Sequence, residues 1–219
     1  MQQSGIFKVH YFDGYGRAEA LRMLLTHAKV AFENVFYGEG ANSWPEAKAT
    51  GKFEFGQLPV LEGPSGNLYA QSAATLRYLG IKYGYYPVSD AELAWRIDST
   101  LDSQEDVVQA YYKHAFNPNE EAKNEGLKNF YANVLPGWFK VLDKRIQANA
   151  PHKYIVGDKI TIADFSLGAW ANSTYLNEAS ASKEKIGEAI KEYPAVDAYF
   201  RGLHGDLEGR LSTRKPSPW

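Results

Sequence analysis

The chain has 219 residues, with 24 Lys plus Arg against 26 Asp plus Glu, and its formal charge of −2 does not suit a protein that neutralises nucleic-acid phosphates. At 44% hydrophobic and 14% aromatic residues it can bury a sizeable core, which excludes disorder throughout. It contains no cysteine, which excludes disulfides, thiolate metal sites and a cysteine nucleophile, and no apolar run approaches the roughly 18 residues of a membrane span. Residues 1–5 lack the basic start and apolar stretch of a signal peptide, so a cytoplasmic location is expected, with no membrane and no nucleic-acid partner.

The first 84 residues alternate strand-like and helix-like segments. Residues 6–12 are rich in β-branched and aromatic side chains and stop at the turn signal Asp13-Gly14, which predicts a strand. Leu21, Leu24, Leu25 and Ala28 then fall at i, i+3, i+4 and i+7, the stripe of a helix. Residues 32–37 read as a second strand ended by Gly38 and Gly40. After a poorly defined stretch come two short strands at 58–61 and 68–69, split by Gly63-Pro64-Ser65-Gly66, and a helix over 71–83. The pattern is βαβ followed by ββα, a small α/β domain over 1–84.

Residues 84–89 break the pattern, and the linker is placed at 85–90. From 91 to 219 no strand is predicted. Leu93, Ile97, Leu101 and Val108 keep helical spacing, and Asn117-Pro118-Asn119 marks a turn. Leu127, Phe130, Tyr131, Val134, Trp138, Val141, Leu142 and Ile146 form one long apolar stripe, which Pro136 is expected to kink. Thr161-Ile162-Ala163-Asp164 has capping-box spacing, with Asp in place of the usual Glu or Gln, and predicts a helix carrying Phe165, Leu167, Trp170 and Leu176. Residues 179–185 are small and polar, expected as a loop or frayed end, and the last helix is expected to start near Pro194.

Several residues could carry chemistry. Tyr11 ends a strand just before a helix opening near residues 15–17, which places a phenol beside backbone N–H groups that favour an anion. A tyrosine at a strand end is also ordinary packing. Without cysteine the domain performs no thiol exchange itself, so any thiol must arrive with a ligand. Pro59 in Gly56-Gln57-Leu58-Pro59 opens a strand, either as an ordinary trans turn proline or as a cis one that turns the Leu58 backbone outward toward an extended peptide. Ser72 after Gln71 reads as a helix N-cap or as part of a carboxylate site. Trp44 and Lys48 lie four apart, where a core aromatic and a solvated charge are the ordinary reading.

In this order and spacing, Tyr11-Phe12 with Gly16-Arg17-Ala18-Glu19, Trp44 with Lys48, Gly56-Gln57-Leu58-Pro59, Gln71-Ser72 and Leu76-Arg77-Tyr78-Leu79-Gly80 resemble the cytosolic glutathione transferases of the tyrosine type. The mu, pi and sigma classes are the most similar. Leu135-Pro136-Gly137 and the block from Tyr154 through Asp164-Phe165 extend the likeness over about residues 6–205. The resemblance implies a thioredoxin-like domain followed by an all-α domain, assembled as a homodimer. It implies glutathione as co-substrate, no metal, and conjugation to small apolar electrophiles in detoxification.

By the same resemblance Tyr11 is the catalytic residue. A thiol titrates near pH 8.5, whereas a phenol keeps its proton to about pH 10 and can donate it in a hydrogen bond to the sulfur anion. Gln71 and Ser72 would hold the γ-glutamyl carboxylate, Leu58 with cis-Pro59 the cysteinyl backbone, and Trp44, Lys48 and Gln57 the glycyl end. Arg17 matches an arginine near the site, with either a binding or a supporting role. Asp106, or its neighbour Glu105, would reach the partner subunit's glutathione. Phe55 would be an aromatic key inserted into the partner. Phe12, Gly14, Tyr15, Tyr112 and Phe116 would line the electrophile pocket. Phe116 stands where many members carry a tyrosine, so Tyr15 is the candidate replacement hydroxyl, and Trp219 either covers the pocket or points into solvent. Two other readings share these residues: a glutathione-dependent isomerase of the prostaglandin D synthase type, and a non-catalytic binding relative.

Overall fold

The computed structural model describes residues 5–38 and 42–218, so the expectations for Gly40 and Trp219 lie outside the described residues. Strand β1 (Phe7–Phe12) is followed by a single 3-10 turn (Gly16–Ala18), helix α1 (Glu19–His27) and strand β2 (Phe32–Tyr37). Next come α2 (Trp44–Ala49), β3 (Val60–Glu62), β4 (Leu68–Ala70) and α3 (Ser72–Tyr83). The sheet order is β2-β1-β3-β4, with β1 parallel to β2 and antiparallel to β3, and β3 antiparallel to β4. This is the expected βαβ-ββα arrangement. β1 is paired on both edges, and its side chains are mostly buried on both faces.

The stretch left undefined between β2 and β3 holds α2, whose Trp44 ring packs 5.4 Å from Phe53 and 5.6 Å from Tyr37. Six residues are too few for a helix to stand by itself, so this one rests on the aromatic cluster beneath it. At α3 the expectation shifts by one position. Gln71 is the cap, with φ +69°, and Ser72 is the first helical residue.

From residue 91 the described chain is helical: α4 (Ala91–Ala115), α5 (Glu120–Asn129), α6 (Leu135–Ala148), α7 (Ile162–Ser173), α8 (Lys183–Ile190) and α9 (Pro194–Leu211). Where one long helix kinked by Pro136 was expected, a π turn, Phe130–Val134, joins α5 to α6 just before that proline. There the Leu135 N–H bonds back to the Phe130 carbonyl, five residues earlier, and Pro136 follows as the second residue of α6. The capping box before α7 is present. The Asp164 carboxylate is fully buried and accepts hydrogen bonds from the Ile155 and Thr161 N–H groups, the Thr161 hydroxyl and the Tyr199 hydroxyl at 2.7 Å. Helix α8 was not foreseen as such, and its first residues lie in the stretch expected to be loop or frayed.

One apolar core runs through both halves, with Leu21, Leu24 and Leu25 of α1 and Leu79 of α3 joining Phe165 of α7 and Phe200 of α9. A smaller cluster of Tyr37, Phe53 and Val60 supports α2.

Candidate functional site

Tyr11 is 7% exposed, near the C-terminal end of β1. Its hydroxyl accepts a hydrogen bond of 3.2 Å from the Arg17 N–H at the start of the helical segment. That approach depends on Gly16, which has φ +42° and would place a Cβ 2.5 Å from the Tyr11 hydroxyl. Gly16 is thus part of the site, although its sequence motif gave it no role. Burial pushes the Tyr11 phenol up from its usual range, and the Arg17 N–H and the charges of Arg17 and Arg22 offset this only in part. Tyr11 is therefore a protonated phenol at neutral pH, with an accepted hydrogen bond on its oxygen and its own proton to give.

Arg17 extends toward α4, where its guanidinium meets Glu105 at 2.5 Å and lies 5.5 Å from the centroid of the Tyr112 ring. Burial alone would lower the Arg17 pKa, but the hydrogen bond and charge of Glu105 raise it. Burial also raises the Tyr112 phenol, with Tyr11 as the next cause. Phe116 packs 5.4 Å from Tyr112 and is 77% exposed, at the end of α4. Phe12 reaches Trp44 at 6.4 Å on the other side of Tyr11.

Leu58-Pro59 is cis. Among the described residues, the Leu58 N–H and C=O make no backbone hydrogen bond. Gln57 accepts from the Gln71 amide at 3.4 Å, a long contact between two exposed side chains. The left-handed backbone of Gln71 is uncommon for a residue with a side chain, and such conformations concentrate at ligand sites. Lys48 is exposed and runs along Gly56. Asp106 on α4 is exposed, as is Phe55 at 52%, on the loop before β3.

Tyr15 differs from its expected role. It is 5% exposed, and its hydroxyl donates to the Lys215 carbonyl at 2.8 Å and accepts from the Ser217 N–H at 3.0 Å. Both capacities are spent on the C-terminal segment, so this hydroxyl does not face an electrophile. Neighbouring Gly14 has its carbonyl held by Arg22 at 2.6 Å. Arg22 escaped the sequence reading and Glu19 entered it only within the Gly16–Glu19 stretch, without a role, although two charges within an apolar helical stripe are a visible signal. No group of three or more metal-ligating side chains occurs among the described residues.

Two family models match the chain: "Glutathione S-transferase, N-terminal domain" over residues 7–80 and "Glutathione S-transferase, C-terminal domain" over 105–204. Glutathione S-transferase P of Homo sapiens is 33% identical over 210 residues, covering 95% of this chain and 88% of that protein. Glutathione S-transferase P 1 of Xenopus laevis is 31% identical over 196 residues, covering 88% and 84%. The solved structure of prostaglandin synthase D of Nilaparvata lugens superposes with TM-score 0.80 over 96% of this chain and 98% of that one, and at 23% identity it shows the common fold alone. The identities, the two domain matches and the fold together make the chain a member of the glutathione S-transferase family, transferases whose substrate is glutathione.

Proposed function

We propose that this chain conjugates glutathione to small apolar electrophiles, with Tyr11 stabilising the thiolate, as a cytosolic homodimer. The single observation that carries the reading is the Tyr11 hydroxyl. It is buried, protonated at neutral pH, and already accepts from the Arg17 N–H, so its proton is the donor available to a sulfur anion. Each unit by which a thiol pKa falls is worth about 1.4 kcal/mol of preference for the nucleophilic form. Holding an electrophile beside that sulfur then supplies proximity without a covalent enzyme intermediate.

Residues 1–84 hold the tripeptide in this reading. Leu58, with an unspent backbone donor and acceptor, pairs with the cysteinyl part as a short strand would. Gln71 and Ser72, at the N-terminus of α3, take the γ-glutamyl carboxylate. Trp44, Lys48 and Gln57 take the glycyl end, with Lys48 giving the charged contact. Arg17 borders the site, held there by Glu105. Because Glu105 is engaged within its own chain, exposed Asp106 is the better placed to reach across to the partner. Phe12, Gly14, Tyr112 and Phe116 border the electrophile, supplied from both sides of the 85–90 linker. Phe55 is the key to the partner subunit, and its exposure in the single chain supports that role. Truncating it to Ser should raise the dimer dissociation constant about a hundredfold, since each of two copies loses a buried ring, and sedimentation equilibrium reads this directly.

Ultraviolet absorbance of the enzyme–glutathione complex across pH 5–10, in wild type and Tyr11→Phe, tests the central step. Wild type should ionise the thiol well below its solution pKa, and Tyr11→Phe should not. Tyr69 and other phenols begin to ionise toward the top of this window, so the thiol is read as the difference between the complex and the glutathione-free enzyme at each pH. Binding without easier ionisation would replace the transferase with the binding-protein reading. Ionisation with glutathione returned unconsumed would favour the isomerase.

A further inference from the structure

On the face of the sheet turned away from Tyr11, one buried histidine supports the helix that carries Trp44 and Lys48. His10 precedes Tyr11 in β1, so the alternation of the strand sends the two side chains to opposite faces. His10 is 3% exposed, with Nε2 at 3.2 Å from a Glu62 oxygen on β3 and Nδ1 at 2.9 Å from the Tyr37 hydroxyl on β2. Burial alone would raise the Glu62 carboxyl, but the hydrogen bonds and charges of Lys52 and Lys8 hold it below its usual range. An ionised carboxylate only accepts, so Nε2 carries the imidazole proton and Nδ1 accepts from the Tyr37 hydroxyl. Burial also pushes the His10 imidazole below its usual range; Glu62 pulls against this, while Lys52 and Lys8 add to it, so the ring is neutral at pH 7.

Tyr37 is the centre of the aromatic floor beneath α2. Its ring lies 5.6 Å from Trp44 and 5.9 Å from Phe53, and the His10 ring lies 5.7 Å from the same Phe53. Helix α2 buries none of its own residues, so this floor fixes its place. We infer that His10 is a positioning residue for glutathione: by fixing the Tyr37 hydroxyl it steadies the floor under Trp44 and α2, and so sets the affinity for the glycyl end. The inference rests on the reading that Trp44 and Lys48 hold that end. It also makes affinity answer to pH. A proton on Nδ1 turns that atom from acceptor to donor, and the Tyr37 hydroxyl must swing its own proton away, where it has no other partner among the described residues. Glu62 faces the new charge, but Lys8 at 3.4 Å and Lys52 at 3.2 Å already share its carboxylate. Glutathione therefore favours the neutral ring, and its affinity is full above the usual histidine range and lost as pH falls through the lowered one.

S-methylglutathione is the probe, titrated calorimetrically into the intact protein between pH 5 and 7. It has no thiol to ionise, and its carboxylates and ammonium keep their charge over this window. Wild-type affinity should fall about threefold from pH 7 to pH 5, and His10→Gln, which cannot titrate, should be flat. Tyr37→Phe, which deletes one oxygen and keeps the ring, should bind about fivefold more weakly at pH 7 and lose most of the pH dependence. With 1-chloro-2,4-dinitrobenzene as electrophile, Tyr37→Phe should raise the KM for glutathione about fivefold and leave kcat unchanged, because Tyr11 lies on the other face of the sheet. Should His10→Gln fold poorly, the wild-type pH profile and Tyr37→Phe decide the matter. Wild-type affinity that ignores pH, Tyr37→Phe affinity equal to wild type, or a fall in kcat at constant KM would each overturn the inference. Failure of S-methylglutathione to bind at any pH would remove the glutathione-site reading itself, so the two failures are told apart.

Discussion

Two arginine–glutamate pairings flank the stretch from the end of β1 to α1 that carries Tyr11 and Tyr15, and they differ in nearly everything but chemistry. Arg17 and Glu105 form a one-to-one pair at 2.5 Å with side chains 22% and 44% exposed. Glu19 is at 0% exposure and serves three guanidiniums, drawn from α1, α9 and the C-terminal segment. The first pair is wet, so its net worth to stability is at most about 1 kcal/mol. The second is dry and ties elements almost two hundred positions apart, so removing its anion strands several buried charges at once. One kind of contact thus serves to aim a side chain in one place and to hold the chain together in the other.

The comparison breaks most readily at Glu19. Replacing it with Gln should cost about 3–5 kcal/mol in chemical denaturation, because three guanidiniums lose their counter-charge while the shape is kept. A loss near 1 kcal/mol would mean the cluster is wetter than described. Next is Gly16→Ala, which drives a methyl against the Tyr11 hydroxyl. It should lower kcat/KM about a hundredfold, as loss of an active-site donor does, and change glutathione affinity little. Gly51→Ala is the control, since it shares a positive φ but meets nothing within 4 Å, and it should cost only about 1 kcal/mol of stability and no activity. The smallest effect belongs to Glu105→Gln. Denaturation should shift by less than about 1 kcal/mol, and kcat/KM should fall while salt ceases to affect it, since a pair this exposed is screened in the wild type.

What could be read from the sequence was local. β1, β2, α3 and the Thr161–Asp164 cap each declare themselves within a dozen residues, through alternation, periodicity or capping spacing. The placement of Tyr11 at a strand end, ahead of a helical start at Arg17, was legible for the same reason. What stayed hidden depends on partners far along the chain. The fate of the Tyr15 hydroxyl is decided by residues 215 and 217, and that of Glu19 by residues 210 and 214. Helix α2 escaped because its six residues owe their shape to Tyr37 and Phe53 beneath them. The π turn escaped because a proline in an apolar stripe signals a kink, and not which hydrogen-bond register absorbs it.

The hold of Tyr15 on residues 215 and 217, like that of Asn177 on the Ser217 carbonyl at 2.9 Å, uses main-chain groups alone. Such anchoring does not depend on which side chains the segment bears. Positions 215 and 216 can therefore change side chain at less cost to the path of the segment than Arg214, whose guanidinium holds the Asn172 carbonyl and stacks on Tyr15.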